Sequence, residues 1–172
     1  MRFTKVKKTN PIILTQVPNY ALMNASHIHL EPLQTAVNDF IAFYQEELNY
    51  HTMVYTLWDA KDILGHIVFW HESFAANIAD LGHGCKPNPL KGKLSEVNAR
   101  SVETTKEVPI PELIERLRQA QHTIEQHIYN ESIDLIPYKK GSRDYSRSEH
   151  VDIVTHHIGR HLRDVRKKLT PH

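Results

Sequence analysis

The chain of 172 residues carries a single cysteine, Cys85. One thiol cannot close an internal disulfide, so the fold must hold by packing, and the scarcity of cysteine fits a reducing compartment. No stretch of about 18 consecutive apolar residues occurs, and no membrane-spanning helix is expected. An excess of either charge is lacking too: 21 Lys and Arg stand against 20 Asp and Glu, for a net charge of +1. That balance, with basic residues gathered only in a short cluster near each end, points to neither nucleic acid nor an anionic membrane as a partner. The apolar run Ile12-Ile13-Leu14 is too short, and too soon followed by Pro18, to be the core of a signal peptide. The expected location is the cytoplasm. Neither an internal repeat nor a low-complexity segment is present.

Hydrophobic residues make up 40% of the chain, enough for one sizeable core and hence one domain. Residues 1–30 do not read as a helix, because Pro11 and Pro18 interrupt them and β-branched residues lie between. They are expected to form an extended arm that packs on the body or on a partner subunit. From residue 31 to 170 the apolar residues recur at helical spacing. Leu33, Val37, Phe40, Ile41, Tyr44 and Leu48 mark a first helix that starts at Pro32 and runs to about Asn49. Asp59 can cap a second, whose apolar face runs from Ile63 to Leu81 before Gly82 stops it. Residues 82–93 read as a loop, residues 95–106 as a short polar helix, and Leu113 to Ile128 as a third long helix. Residues 132–145 form another loop, with a turn at Lys139-Lys140-Gly141. Val151, Val154, Ile158, Leu162, Val165 and Leu169 mark the last helix. Four long amphipathic helices without a strand pattern predict an all-α four-helix bundle, with a short extra helix between helices two and three.

Four of the thirteen histidines crowd into the segment His150 to His161. At roughly 100° per residue, His150, His157 and His161 fall on one flank of the apolar stripe and His156 points away. Imidazoles at i and i+4, here His157 and His161, can reach one metal ion from adjacent turns. No Glu follows His157, so the pair lacks the general base of a zinc protease. Bundle sites are built from side chains on facing helices, and helix two offers His66 at the edge of its apolar face and His71 at its middle. The edge position suits a ligand at the mouth of a bundle; the central one suits a hydrogen-bonded core histidine. Asp62, Glu72, Asp152 and Asp164 lie near these histidines in the sequence and are candidates for orienting them or moving protons. Tyr138, Tyr145 and the two tryptophans are candidates to line a pocket, or plain core residues. Cys85, in a loop without an assignable basic partner, reads as an ordinary exposed thiol.

The string Trp58-Asp59-Ala60-Lys61-Asp62-Ile63-Leu64-Gly65-His66-Ile67-Val68-Phe69-Trp70 resembles the second-helix signature of DinB-like four-helix bundles, and within them most resembles the ClbS/DfsB branch. Asn98, within Leu94 to Arg100, is similar to an Asn-bearing segment of that branch, and His157-x-x-x-His161 to its last-helix pair. The resemblance spans roughly residues 32–169. It implies a divalent-metal site on His66, His157 and His161, with zinc, nickel or iron(II) all acceptable to imidazole. It further implies a homodimer and a small-molecule enzyme. The enzyme would be either a hydrolase acting through metal-bound water, as in ClbS-like detoxification, or a thiol-dependent transferase. A non-catalytic bundle that sequesters a ligand, or one that keeps a purely structural metal, is the alternative.

Overall fold

The computed structural model describes residues 28–170. Of the arm expected over residues 1–30, all but the last three positions lie outside the described residues. The elements follow in the order α1 (Glu31–Phe43), α2 (Ala60–Gly82), α3 (Leu94–Glu103), α4 (Ile110–His127), β1 (Leu135–Pro137), β2 (Asp144–Ser146) and α5 (Arg147–Leu169). The architecture is an all-α bundle: α2 packs most extensively on α4 and α1 on α5, with α3 laid across α2. None of these helices is long and apolar enough to cross a membrane.

Local chemistry sets the helix starts. The Asp59 side chain accepts from the Asp62 backbone N–H while the Asp62 carboxylate accepts from that of Asp59. Ser146 and Glu149 form the same reciprocal pair at the head of α5. Each pair satisfies donors that the first turn of a helix leaves free. Pro32 and Pro111 occupy first-turn positions of α1 and α4, where a missing N–H costs nothing. The apolar stripes then meet in one core, in which Leu33, Phe40, Ile63, Leu64, Ile67, Ile78, Leu113 and Leu117 are fully buried. Transfer of such a side chain out of water stabilises by about 1.5–3 kcal/mol.

Three departures from the expected elements have clear causes. The first helix stops at Phe43 although the apolar period runs on to Leu48. The Tyr50 hydroxyl turns back onto the Phe43 carbonyl at 2.6 Å and the Glu46 carbonyl at 2.8 Å, and its ring stacks on Tyr44 at 4.9 Å. Tyr44 and Leu48 therefore reach the core from a turn rather than from helix. The short helix α3 ends at Glu103 instead of Lys106, its carbonyls taken by the hydroxyls of Thr104 and Thr105. Residues 132–145, expected as a loop, contain the first strand and most of the second of a two-stranded antiparallel hairpin that pairs Leu135 with Ser146 and Pro137 with Asp144. Strands of three residues are too short to show alternation. The hairpin buries Ile136, turns at Gly141 (φ +86°), and is tied to α2 where Asn77 donates to the Pro137 carbonyl at 3.1 Å.

One close approach matters for the site. A Cβ on Gly65 of α2 would lie 2.0 Å from Thr105 Oγ1, so only glycine lets the end of α3 settle against this turn. That contact brings Ser101 beside His66.

Candidate metal centre

His66 projects from α2, and His157 and His161 from adjacent turns of α5, into a common point. His157 Nε2 stands 3.1 Å from His66 Nε2 and 3.1 Å from His161 Nε2. One ligand nitrogen from each of the three lies within 4.8 Å of the others, a grouping that could hold a metal ion. Nitrogens bound at about 2.0–2.1 Å to one tetrahedral ion stand about 3.3 Å apart, close to these separations.

The surrounding hydrogen bonds decide which nitrogen of each ring carries its proton. Ser101 Oγ spends its own proton on the Asn98 carbonyl at 2.7 Å, so at 2.9 Å it accepts from His66 Nδ1–H. Tyr55 Oη donates to Asp164 Oδ2 at 2.5 Å, so at 3.0 Å it accepts from His161 Nδ1–H. Both imidazoles are thereby left with a bare lone pair on Nε2, directed at the Nε2 of His157. Without a cation, one proton on His157 Nε2 reconciles those lone pairs; a divalent ion would take that proton's place, with His157 protonated at Nδ1. The donor set is three neutral imidazoles, which suits zinc, nickel or iron(II) and leaves coordination positions over.

Electrostatics agree with neutral rings. Burial first, then the neighbouring imidazoles and Arg160, push His66 down to about 2. The same causes push His157 down to about 3. Burial, then Arg160, takes His161 to about 4, against a smaller upward pull from Asp164. Behind His161, burial and the bond to Asp164 hold the Tyr55 hydroxyl far above its ordinary range, so that Tyr55 keeps its proton.

The cluster forms the floor of a cavity of about 190 Å³. Trp70 stacks on Tyr138 with ring centroids 4.9 Å apart and 16° between planes, and the Trp58 ring stands 4.9 Å from His66. Arg160, Asn98 and Leu94 complete the rim. A shallower apolar groove of about 450 Å³, walled by Tyr55, Leu57 and Ala99, adjoins it through Trp58 and Asn98.

The other candidates are placed elsewhere. His71 is buried and hydrogen-bonds through Nε2 to Gln121 Oε1 at 2.9 Å, the core role expected of a central position. His150 shares the flank of His157 but sits seven residues up α5, roughly 10.5 Å along the axis, where it stacks on Phe74 at 4.0 Å. His156 is exposed on the far side. Of the acids, Asp164 alone reaches a site histidine, through Tyr55. Asp62 caps α2, Glu72 pairs with Arg116 at 2.7 Å, and Asp152 is exposed. Tyr145 packs at the hairpin against Tyr138 and His150, and Cys85 is exposed. Tyr55 and Ser101 carried no signal in the sequence, since each belongs to a polar segment without a motif. Arg160 was visible as the neighbour of His161 but not as a member of the site.

Fold and site together define an all-α helical bundle with a three-histidine cluster beside a cavity. No protein-family model matches the chain, and no curated protein sequence does. Among solved structures the chain is similar to the mycothiol-dependent maleylpyruvate isomerase, with a TM-score of 0.63 over 79% of this chain and 58% of that one. This chain thus spans less than two thirds of that protein's length, and at 10% identity the likeness is one of fold.

Proposed function

We propose that the chain is a divalent-metal-dependent enzyme acting on a small molecule, with His66, His157 and His161 as the ligands. The convergence of three Nε2 atoms, two of them held as bare lone pairs by Ser101 and by Tyr55 with Asp164, carries the reading. The core histidine His71 spends its Nε2 on a single neighbour, Gln121, whereas here the Nε2 atoms of three rings converge on one point beside a cavity. A divalent ion held there supplies Lewis acidity at its free positions, to a thiol or to water.

The chain's own residues do the rest. Ser101 and the Tyr55–Asp164 pair keep His66 and His161 in the ligating tautomer. Trp58, Trp70 and Tyr138 wall off bulk water and present flat faces to a substrate. Arg160 and Asn98 face the same space with hydrogen-bond donors. Of the two chemistries the ligands permit, thiol-dependent transfer is favoured because the adjoining groove provides room for a second reactant. Hydrolysis in the manner of the ClbS/DfsB branch is the second reading, favoured by the Trp58 to Trp70 string.

Elemental analysis of tag-free protein beside a His66→Ala, His157→Ala double variant tests the metal, and turnover of reactive electrophiles with and without a small thiol tests the chemistry. Near-stoichiometric metal in the parent alone, with thiol-dependent turnover lost in the variant, is the expected result. Turnover without thiol selects hydrolysis, and binding without turnover selects a sequestering protein. No metal in either protein after incubation with zinc, nickel and iron(II) refutes the metalloenzyme.

A further inference from the structure

The rim of the histidine cavity is one-sided in its chemistry. Among the described residues no Asp or Glu lines it. Arg160, exposed on α5, pairs with no carboxylate among the described residues, as is also true of Arg100, Arg147, Arg163 and Arg166. A solvated surface arginine would account for that alone, but Arg160 lines the cavity, and its charge is felt by His66, His157, His161 and Tyr138. Arg160 thus brings a positive charge to the border of the pocket.

Asn98 is fixed in the complementary sense. Its Oδ1 accepts from Trp70 Nε1–H at 3.1 Å, which assigns the amide orientation and leaves both N–H groups of Nδ2 for a ligand. Between these donors lies the apolar edge of the stacked Trp70–Tyr138 pair, with the Trp58 ring across the same cavity. A ligand that satisfies this arrangement supplies acceptors at one end and a flat apolar body at the other.

We propose that the cavity binds a small-molecule carboxylate with a flat, apolar body, the carboxylate taken by Arg160 and Asn98 and the body packed between Trp58 and the edge of the Trp70–Tyr138 stack. A planar carboxylate matches the guanidinium fork, which a point cation would not select for. The inference rests on the cavity being the substrate site proposed above, and it names the class of substrate.

Benzoate is a suitable probe, with benzamide as its neutral isostere and inorganic phosphate as an anion lacking the flat body. The chain has two tryptophans, Trp58 and Trp70, and both line the cavity, so intrinsic fluorescence of the full-length protein excited at the red edge reports binding there. Benzoate is expected to quench saturably, at least tenfold more tightly than benzamide or phosphate. Arg160→Gln is expected to weaken benzoate at least tenfold and to leave benzamide unchanged, whereas Arg160→Lys retains part of the preference. Asn98→Asp, which places a negative charge where the amide donated, is expected to weaken benzoate at least tenfold as well. Arg160 is exposed, so its variants are expected to keep the fold, which circular dichroism checks.

Equal affinity for benzoate and benzamide overturns the proposal, as does benzoate binding untouched by Arg160→Gln, which would put the carboxylate on a metal instead. Saturable benzoate binding that survives in the His66→Ala, His157→Ala variant upholds it even where the metal reading fails. A loaded metal centre without the benzoate preference refutes the substrate class alone.

Discussion

Gly65 to Ala is the most informative single substitution, because local and tertiary effects oppose one another there. In an exposed helix interior the change stabilises by about 1 kcal/mol, since alanine loses less backbone entropy than glycine. Here the new methyl would lie 2.0 Å from Thr105 Oγ1 and 2.8 Å from Thr105 Cβ, both far inside contact distance. Thr105 is buried, and its hydroxyl is engaged with the Ser101 carbonyl at 2.8 Å, so it cannot rotate away without losing that bond. Forcing a methyl into such packing costs typically about 1–3 kcal/mol. With two atoms inside 3.0 Å the cost falls in the upper part of that range, about 2–3 kcal/mol, and after the gain of about 1 the net loss is about 1–2 kcal/mol, a fall of roughly 0.5–1 M in the urea midpoint for a slope of about 2 kcal/mol/M. Thr105→Gly removes both offending atoms. In that background the same Gly65→Ala change should become neutral or stabilising by up to about 1 kcal/mol, a reversal that a double-mutant cycle measures directly. A neutral or stabilising Gly65→Ala in the parent, or an equal loss in both backgrounds, would refute the close approach of α2 and α3. Because the end of α3 carries Ser101 to His66, the variant should also bind divalent metal more weakly than the parent.

Tyr55→Phe and Ser101→Ala each remove the acceptor that orients a histidine, and each should lower metal affinity about 10–100-fold in a chelator competition while changing stability little; unchanged affinity in both would show that the tautomers are not held this way. Acid should destabilise the fold through His71 and His150, which burial pushes down to about 4. Both are neutral in either state near pH 7.5. Below an unfolded value of about 6.5 only the unfolded chain takes up their protons. The loss grows toward pH 4 and reaches about 2 kcal/mol for each at pH 5. Urea midpoints measured from pH 7.5 to pH 5 check this, and an undiminished pH slope in a His71→Leu, His150→Phe variant would contradict it. For the homodimer that the DinB-like resemblance implies, light scattering on the full chain and on a form lacking residues 1–30 should show two subunits in the first and fewer in the second. An unchanged dimer in the shortened form rules out an arm exchanged between subunits.

The helices were legible because their determinants are local. Asp59 with Asp62, Ser146 with Glu149, and the prolines at positions 32 and 111 set the starts within a few residues of chain, and the 3.6-residue period of the apolar side chains set the faces. Where an element depends on a distant partner the reading failed. The first helix ends early because Tyr50 returns to its carbonyls, and the hairpin exists because Ile136 has a core to enter and Asn77 a carbonyl to hold.

The same division runs through the site. His157 and His161 had to share a face, since four residues are one turn of any α-helix, and the sequence alone determined that pairing. Which histidine of α2 would meet them was a matter of how two helices 91 residues apart in the chain pack together, and the bundle turns His66 to the cluster and His71 to Gln121. Ser101 and Tyr55 joined the cluster only in three dimensions, and Asp164, a candidate from its place beside His161 on the last helix, reaches that ring only through Tyr55. These roles depend on distances of 2.5–3.0 Å between segments that no spacing relates. Backbone periodicity fixes neighbours within a helix, but only the packing of one helix on another decides which polar groups face each other across the gap.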